Sequence, residues 1–206
     1  MQALRFNQTG DLNNLELVEM PIPSLGKEEV LIEVKAGRLN RNDISNVMGR
    51  LPYTTIPRTP GRDYSGIIRQ GPAELIGKEV WGTGKENGFI QDGSHAAYMK
   101  VHRSAISFKP TSLSFVEAAN CGTPYMTALG AIQGCHVSDG TRIVVIGANG
   151  AVGNAAVELA KKNKAQVLGL VRKEEHLSIL KGQEILADLL PETGDEKGLK
   201  QLIWKY

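Results

Sequence analysis

Long apolar runs, blocks of like charge and all but two cysteines are missing from this chain of 206 residues. Nowhere do 18 apolar residues run together, so no membrane-spanning helix and no membrane partner are predicted. The 24 Lys and Arg against 22 Asp and Glu leave a net charge of +2. No basic stripe stands out along the chain, which argues against nucleic acid as a partner. Cys121 and Cys135 are too few for a disulfide framework or a four-cysteine zinc site, and they read as buried, reduced thiols. The opening MQALRFNQTGDLNN lacks the cationic, apolar, small-residue order of a secretory leader, so a cytoplasmic location is expected. No internal repeat or low-complexity segment is present.

What is there changes character near Thr111. Up to about Pro110, turn signals recur every few residues (QTGD, PIPSLGKE, TPGRD, GTGKENG) with short β patterns between them. EVLIEVKAG alternates, with Val30, Ile32 and Val34 on one side and Leu31, Glu33 and Lys35 on the other, the pattern of a half-buried strand. A mostly β half, a small barrel or sandwich, is predicted. Beyond it, Ser114 and Glu117 have the spacing of a capping box that opens a helix. TRIVVIGA then reads as a parallel strand covered on both faces, GNAAVELAKKNK as a helix and AQVLGLV as the next strand, a βαβ unit. KEEHLSILKG looks helical, and the tail from Gln183 reads as helix or loop.

Gly147, Gly150 and Gly153 stand between that strand and that helix. Such a turn leaves backbone N–H groups and a helix N-terminus free to approach a pyrophosphate, with Asn149, Ala151 and Val152 completing the cradle. A site for NAD usually carries an acidic residue at the end of the following strand, where this chain has Arg172 and Lys173. Cations there suit a 2′-phosphate, so NADPH is the expected cofactor.

The order of segments resembles the medium-chain dehydrogenase/reductase superfamily, in its zinc-independent quinone oxidoreductase-like branch. The resemblance is carried by MQALRFNQTG, VLIEVKAGRLNRNDISNVMG, TPGRDYSGII, GSHAAYMKV, LSFVEAANCGTPYMTALGAI and GANGAVGNAAVELAK. It implies a mixed α/β fold: an N-terminal GroES-like β-barrel domain over residues 1–122, then a partial parallel Rossmann-type NAD(P)-binding domain over 123–206. In the zinc-dependent branch a cysteine lies where Asn40 stands, and a G-H-E segment lies where Gly61, Arg62 and Asp63 stand. Asn40 and Arg62 cannot serve as ligands, and His95, His102, His136 and His176 show no metal spacing, so no zinc is expected. The implied chemistry is hydride transfer to a quinone or an activated enone or carbonyl. Tyr53 matches a loop lining the cleft of this branch and is the candidate proton donor, since a phenol carries a proton at neutral pH. Asn40 and Asp43 shape the same wall by resemblance, and Thr127 matches a threonine on the nicotinamide side.

A dinucleotide fold has two mononucleotide-binding halves, and the second is not recognisable after Gly153. Activity is therefore expected only if the shortened cofactor domain functions. A piece of a longer enzyme, a short form that assembles with another chain, and a non-catalytic nucleotide- or partner-binding remnant all fit. An unpaired apolar sheet edge predicts a homo-oligomer unless the tail covers it.

Overall fold

A computed structural model describes residues 1–84 and 86–206. The chain divides into two compact units, Met1–Thr123 and Pro124–Tyr206. Among the described residues no helix is long and apolar enough to cross a membrane.

In the first unit, β1 (Gln2–Arg5) and β2 (Glu16–Glu19) form an antiparallel pair. A five-stranded antiparallel sheet follows, built from β3 (Glu29–Arg38), β4 (Asp63–Gln70), β5 (Glu79–Thr83), β6 (Tyr98–His102) and β7 (Ser107–Phe108) in the order β6-β3-β4-β5-β7. The alternation in β3 behaves as expected: Val30 and Ile32, with Val34 against them, pack with Tyr64, Ile68, Val80, Met99 and Val101 in one apolar cluster. Leu31, on the other face, is also buried. Glu33 stays accessible and pairs with Arg69 at 2.5 Å. Short helix α1 (Arg41–Val47) lies between β3 and β4.

Helix α2 (Phe115–Gly134) starts where the capping box places it. Ser114 Oγ accepts from the Glu117 backbone N–H at 3.2 Å, and Glu117 Oε2 accepts from the Ser114 backbone N–H at 2.8 Å. Ser114→Ala removes the first of these bonds and is expected to cost about 1 kcal/mol of stability, read as a lower urea midpoint with an unchanged slope. An unchanged midpoint would mean that tertiary packing alone sets this helix start.

The second unit is parallel. Strands β8 (Arg142–Ile146), β9 (Gln166–Val171) and β10 (Leu186–Leu189) lie in the order β10-β9-β8. Helix α3 (Ala151–Lys162) connects β8 to β9, α4 (Leu177–Lys181) precedes β10, and α5 (Glu196–Lys205) follows it. Helix α3 buries Ala155, Val157 and Ala160, two small residues and one branched one, which lets it lie close to the sheet.

Three expectations need correction. β8 is not covered on both faces: Ile143 and Val145 are half-buried, whereas Val144 and Ile146 are 36% and 57% exposed. It is an edge strand, and the central strand β9 is the one buried from Val167 to Val171. The tail contains a strand as well as a helix. Leu-Ala-Asp-Leu has no β-branched residue to announce it, and parallel pairing with Leu168–Val171 of β9 supplies what propensity does not. Cys135, at the end of α2, is exposed and Cys121 is half-buried, because helix position outweighs the usual burial of the residue type.

Candidate functional site

In the first unit, Asn40 and Asp43 meet in one polar network at the start of α1. Asp43 is buried, and its two carboxylate oxygens accept from backbone N–H groups, that of Asn40 at 2.7 Å and that of Gly61 at 3.2 Å. Burial pushes the Asp43 carboxyl above the usual range; the two backbone bonds and His95 oppose this, and the Asp63 charge adds to it. Asn40 Oδ1 accepts from Arg38 Nε at 3.1 Å, and Asn40 Nδ2 donates to Asp63 Oδ2 at 2.9 Å. The orientation of the Asn40 amide is thus set by two partners.

Asp63 was not singled out by the sequence. It is fully buried and also accepts from the Thr123 backbone N–H at 3.0 Å and from Thr123 Oγ1 at 2.7 Å. Gly122 is required beside it, because a Cβ there would lie 2.6 Å from Asp63 Oδ1. The available signal was an acidic residue heading a strand that is otherwise buried, since a buried charge needs several donors.

Tyr53 stands apart from this network. It is half exposed, and its ring rests against buried Phe89 with centroids 5.5 Å apart. Its loop is pinned by the Thr54 hydroxyl donating to Asn46 Oδ1 and by the Thr55 backbone N–H donating to Phe89 O at 3.0 Å. The guanidinium of Arg62 lies over the same Phe89 ring at 5.1 Å.

In the second unit the three glycines have three different physical reasons. Gly147 has φ +75°, which side chains disfavour. A Cβ on Gly153 would lie 2.2 Å from Gly147 O, so only glycine permits this packing of helix on turn. Gly150, the N-cap of α3, has an ordinary extended backbone, and a Cβ there would meet only Gly147 O at 3.2 Å. The internal demand for glycine is therefore weakest at Gly150, where the backbone is open to a ligand.

Asn149, Ala151 and Val152 surround this position and are exposed. The first turn of α3 carries no acidic side chain, unlike those of α1, α2 and α5, so its N-terminal partial positive charge is not offset there. Backbone bonds from Gly147 and Ala148 to Leu170 O, at 2.8 and 3.3 Å, tie the turn to the end of β9. Arg172 and Lys173 follow that end directly and are exposed; Lys173 pairs with Glu175 at 3.3 Å. Thr127 lies exposed on the part of α2 that belongs to this unit.

Among the described residues no three His, Cys, Asp or Glu gather to hold a metal. His95 Nε2 lies 3.3 Å from Arg38 O, and His102 pairs with Ser104.

The alcohol dehydrogenase GroES-like domain family matches residues 26–111. A zinc-type alcohol dehydrogenase-like protein of Schizosaccharomyces pombe is 37% identical over 159 residues, covering 77% of this chain and 49% of that protein. The quinone oxidoreductase of Coxiella burnetii superposes with a TM-score of 0.87 at 26% identity, over 97% of this chain and 65% of that one. That of Thermus thermophilus, also solved in complex with NADPH, gives 0.80 at 26% identity, over 92% and 59%. The chain thus spans about half to two thirds of the length of these proteins. With its GroES-like region followed by a parallel βαβ unit, the chain belongs to the medium-chain dehydrogenase/reductase superfamily, among the quinone oxidoreductase-like proteins.

Proposed function

We propose that the chain is the substrate-facing and adenine-side part of an NADPH-dependent, zinc-independent oxidoreductase that reduces a quinone or an activated enone or carbonyl. The observation that carries this reading is Gly150, where glycine serves ligand approach more than folding. NADPH, when bound, supplies the hydride. The N–H groups of the first turn of α3 bind its pyrophosphate, and Arg172 and Lys173 bind its 2′-phosphate through charge-assisted hydrogen bonds. Thr127 lines the nicotinamide side. Asn40, held by Arg38 and Asp63, and Asp43, which ties the Asn40 and Gly61 backbones together, shape the substrate wall. Tyr53 holds a proton at its hydroxyl for the substrate oxygen. The zinc-independent reading rests on the chemistry of this donor set: at the two positions where the zinc branch places ligands stand an amide already engaged by two partners and a guanidinium.

Calorimetric titration of the 206-residue chain with NADPH and NADH tests the cofactor half. Micromolar binding that favours NADPH is expected, followed by NADPH oxidation when a simple quinone is added. Binding without turnover would favour the non-catalytic reading, and no binding by a folded chain would overturn the cofactor assignment. Replacing Arg172 and Lys173 with glutamine should weaken NADPH by about tenfold or more, an interaction loss of ~1.4 kcal/mol, and leave NADH within about twofold. Equal losses for both would remove the 2′-phosphate site.

A further inference from the structure

We infer that Arg62 is a substrate-binding residue, whose guanidinium holds a negatively charged oxygen on the acceptor and so selects acceptors that carry or develop an oxyanion. This rests on the acceptor chemistry proposed above and adds a residue to it.

The placement of Arg62 is fixed from both sides. Gly61 before it has φ +107°, with its backbone N–H held by Asp43 and no room for a Cβ, which would lie 2.5 Å from Ser94 Oγ and 2.8 Å from the His95 backbone nitrogen. Asp63 after it is locked by Asn40 and Thr123. The side chain is half-buried. Its Nε donates to Gly84 O at 3.2 Å, and its guanidinium carbon sits 5.1 Å from the centroid of the Phe89 ring. Among the described residues, Nη1 and Nη2 have no hydrogen-bond acceptor and the guanidinium has no carboxylate partner.

Other arginines of this unit are engaged differently. Arg5 and Arg58 share Asp92, Arg69 pairs with Glu33, and Arg103 pairs with Glu28. A partly desolvated guanidinium with a stacked face, one tethered donor and an open bidentate edge matches a planar oxyanion in shape and charge. The same Phe89 ring carries Tyr53, so the proposed proton donor and this cation are braced by one side chain. The oxygen of an enone or quinone gains negative charge as the acceptor is reduced, and an already placed cation stabilises that charge without reorganising.

The test compares 2-hydroxy-1,4-naphthoquinone, an anion at neutral pH, with its neutral methyl ether, by calorimetry on the full chain. The wild-type chain is expected to bind the anion more tightly. Arg62→Gln should weaken the anion by tenfold or more and the ether by less than twofold, while Arg62→Lys keeps part of the preference. No preference in the wild-type chain, or equal losses for both ligands in Arg62→Gln, would overturn the inference. An unchanged unfolding midpoint in either variant shows that the loss is not one of folding. NADPH titration of the same variants separates the two readings. Arg62-dependent anion binding without any NADPH binding or oxidation defeats the proposed enzyme and leaves Arg62 standing. Quinone reduction that persists unchanged in Arg62→Gln does the reverse.

Discussion

Gly150→Val is expected to lower NADPH affinity by at least about tenfold, ~1.4 kcal/mol, while the urea midpoint of the chain stays near its wild-type value. Gly153→Val is expected to do the opposite in order of cause: stability falls first, by about 1–3 kcal/mol from overpacking, and nucleotide binding falls with it. The difference lies in what a new side chain meets. At Gly153 a Cβ would lie 2.2 Å from Gly147 O and 2.8 Å from Ala148 Cα, both main-chain atoms that cannot move without opening the strand–turn–helix junction. At Gly150 the backbone has φ −81° and ψ 165°, which valine adopts readily, and the one close atom at 3.2 Å requires a shift of a few tenths of an ångström. What valine obstructs there is the space above the turn. Calorimetric titration and urea unfolding of both variants check this. Unchanged NADPH affinity in folded Gly150→Val would make the turn a packing device.

Asp63→Ala is expected to be among the most damaging single substitutions in the first unit, at about 3 kcal/mol or more. It strands the Asn40 amide, whose Nδ2 has no other acceptor among the described residues, and takes an acceptor from the Thr123 backbone N–H and the Thr123 hydroxyl. A buried donor left unpaired costs more than the bond was worth. Asp63→Asn keeps the shape but turns an amide N–H₂ toward groups that are themselves donors, so most of the loss should remain. Urea unfolding reads both. A loss below about 1 kcal/mol would mean that water reaches these donors and that Asp63 is a minor part of the fold.

Some of this was legible in residues taken singly or in short patterns. Ser114 and Glu117 are three apart, and a helix cap needs only that spacing. The alternation of Val30, Ile32 and Val34 is a property of the backbone pleat. The glycine turn shows itself because strand, glycines and helix are contiguous. Arg172 and Lys173 are recognisable for the same reason, since they stand at the end of the strand bonded to that turn.

Other features were hidden because their partners are distant in sequence. Asp63 acquires its role from Asn40 and Thr123, 23 and 60 residues away. Arg62 acquires its stacked face from Phe89 and its tether from Gly84, and in the sequence it was only a residue unable to bind zinc. Strand β10 exists because β9 is beside it.

The family, the succession of a β-rich unit and a parallel βαβ unit, and the position of the glycine turn are legible in the order of residues, because each depends on local periodicity and on contiguous motifs. The difference in kind between Gly150 and the other two glycines, the binding of Asn40 and Asp43 into one network with Asp63, and the seating of Arg62 on Phe89 come from the three-dimensional arrangement alone. Those are properties of distances between segments, set by how sheets and helices pack, and no local pattern encodes them.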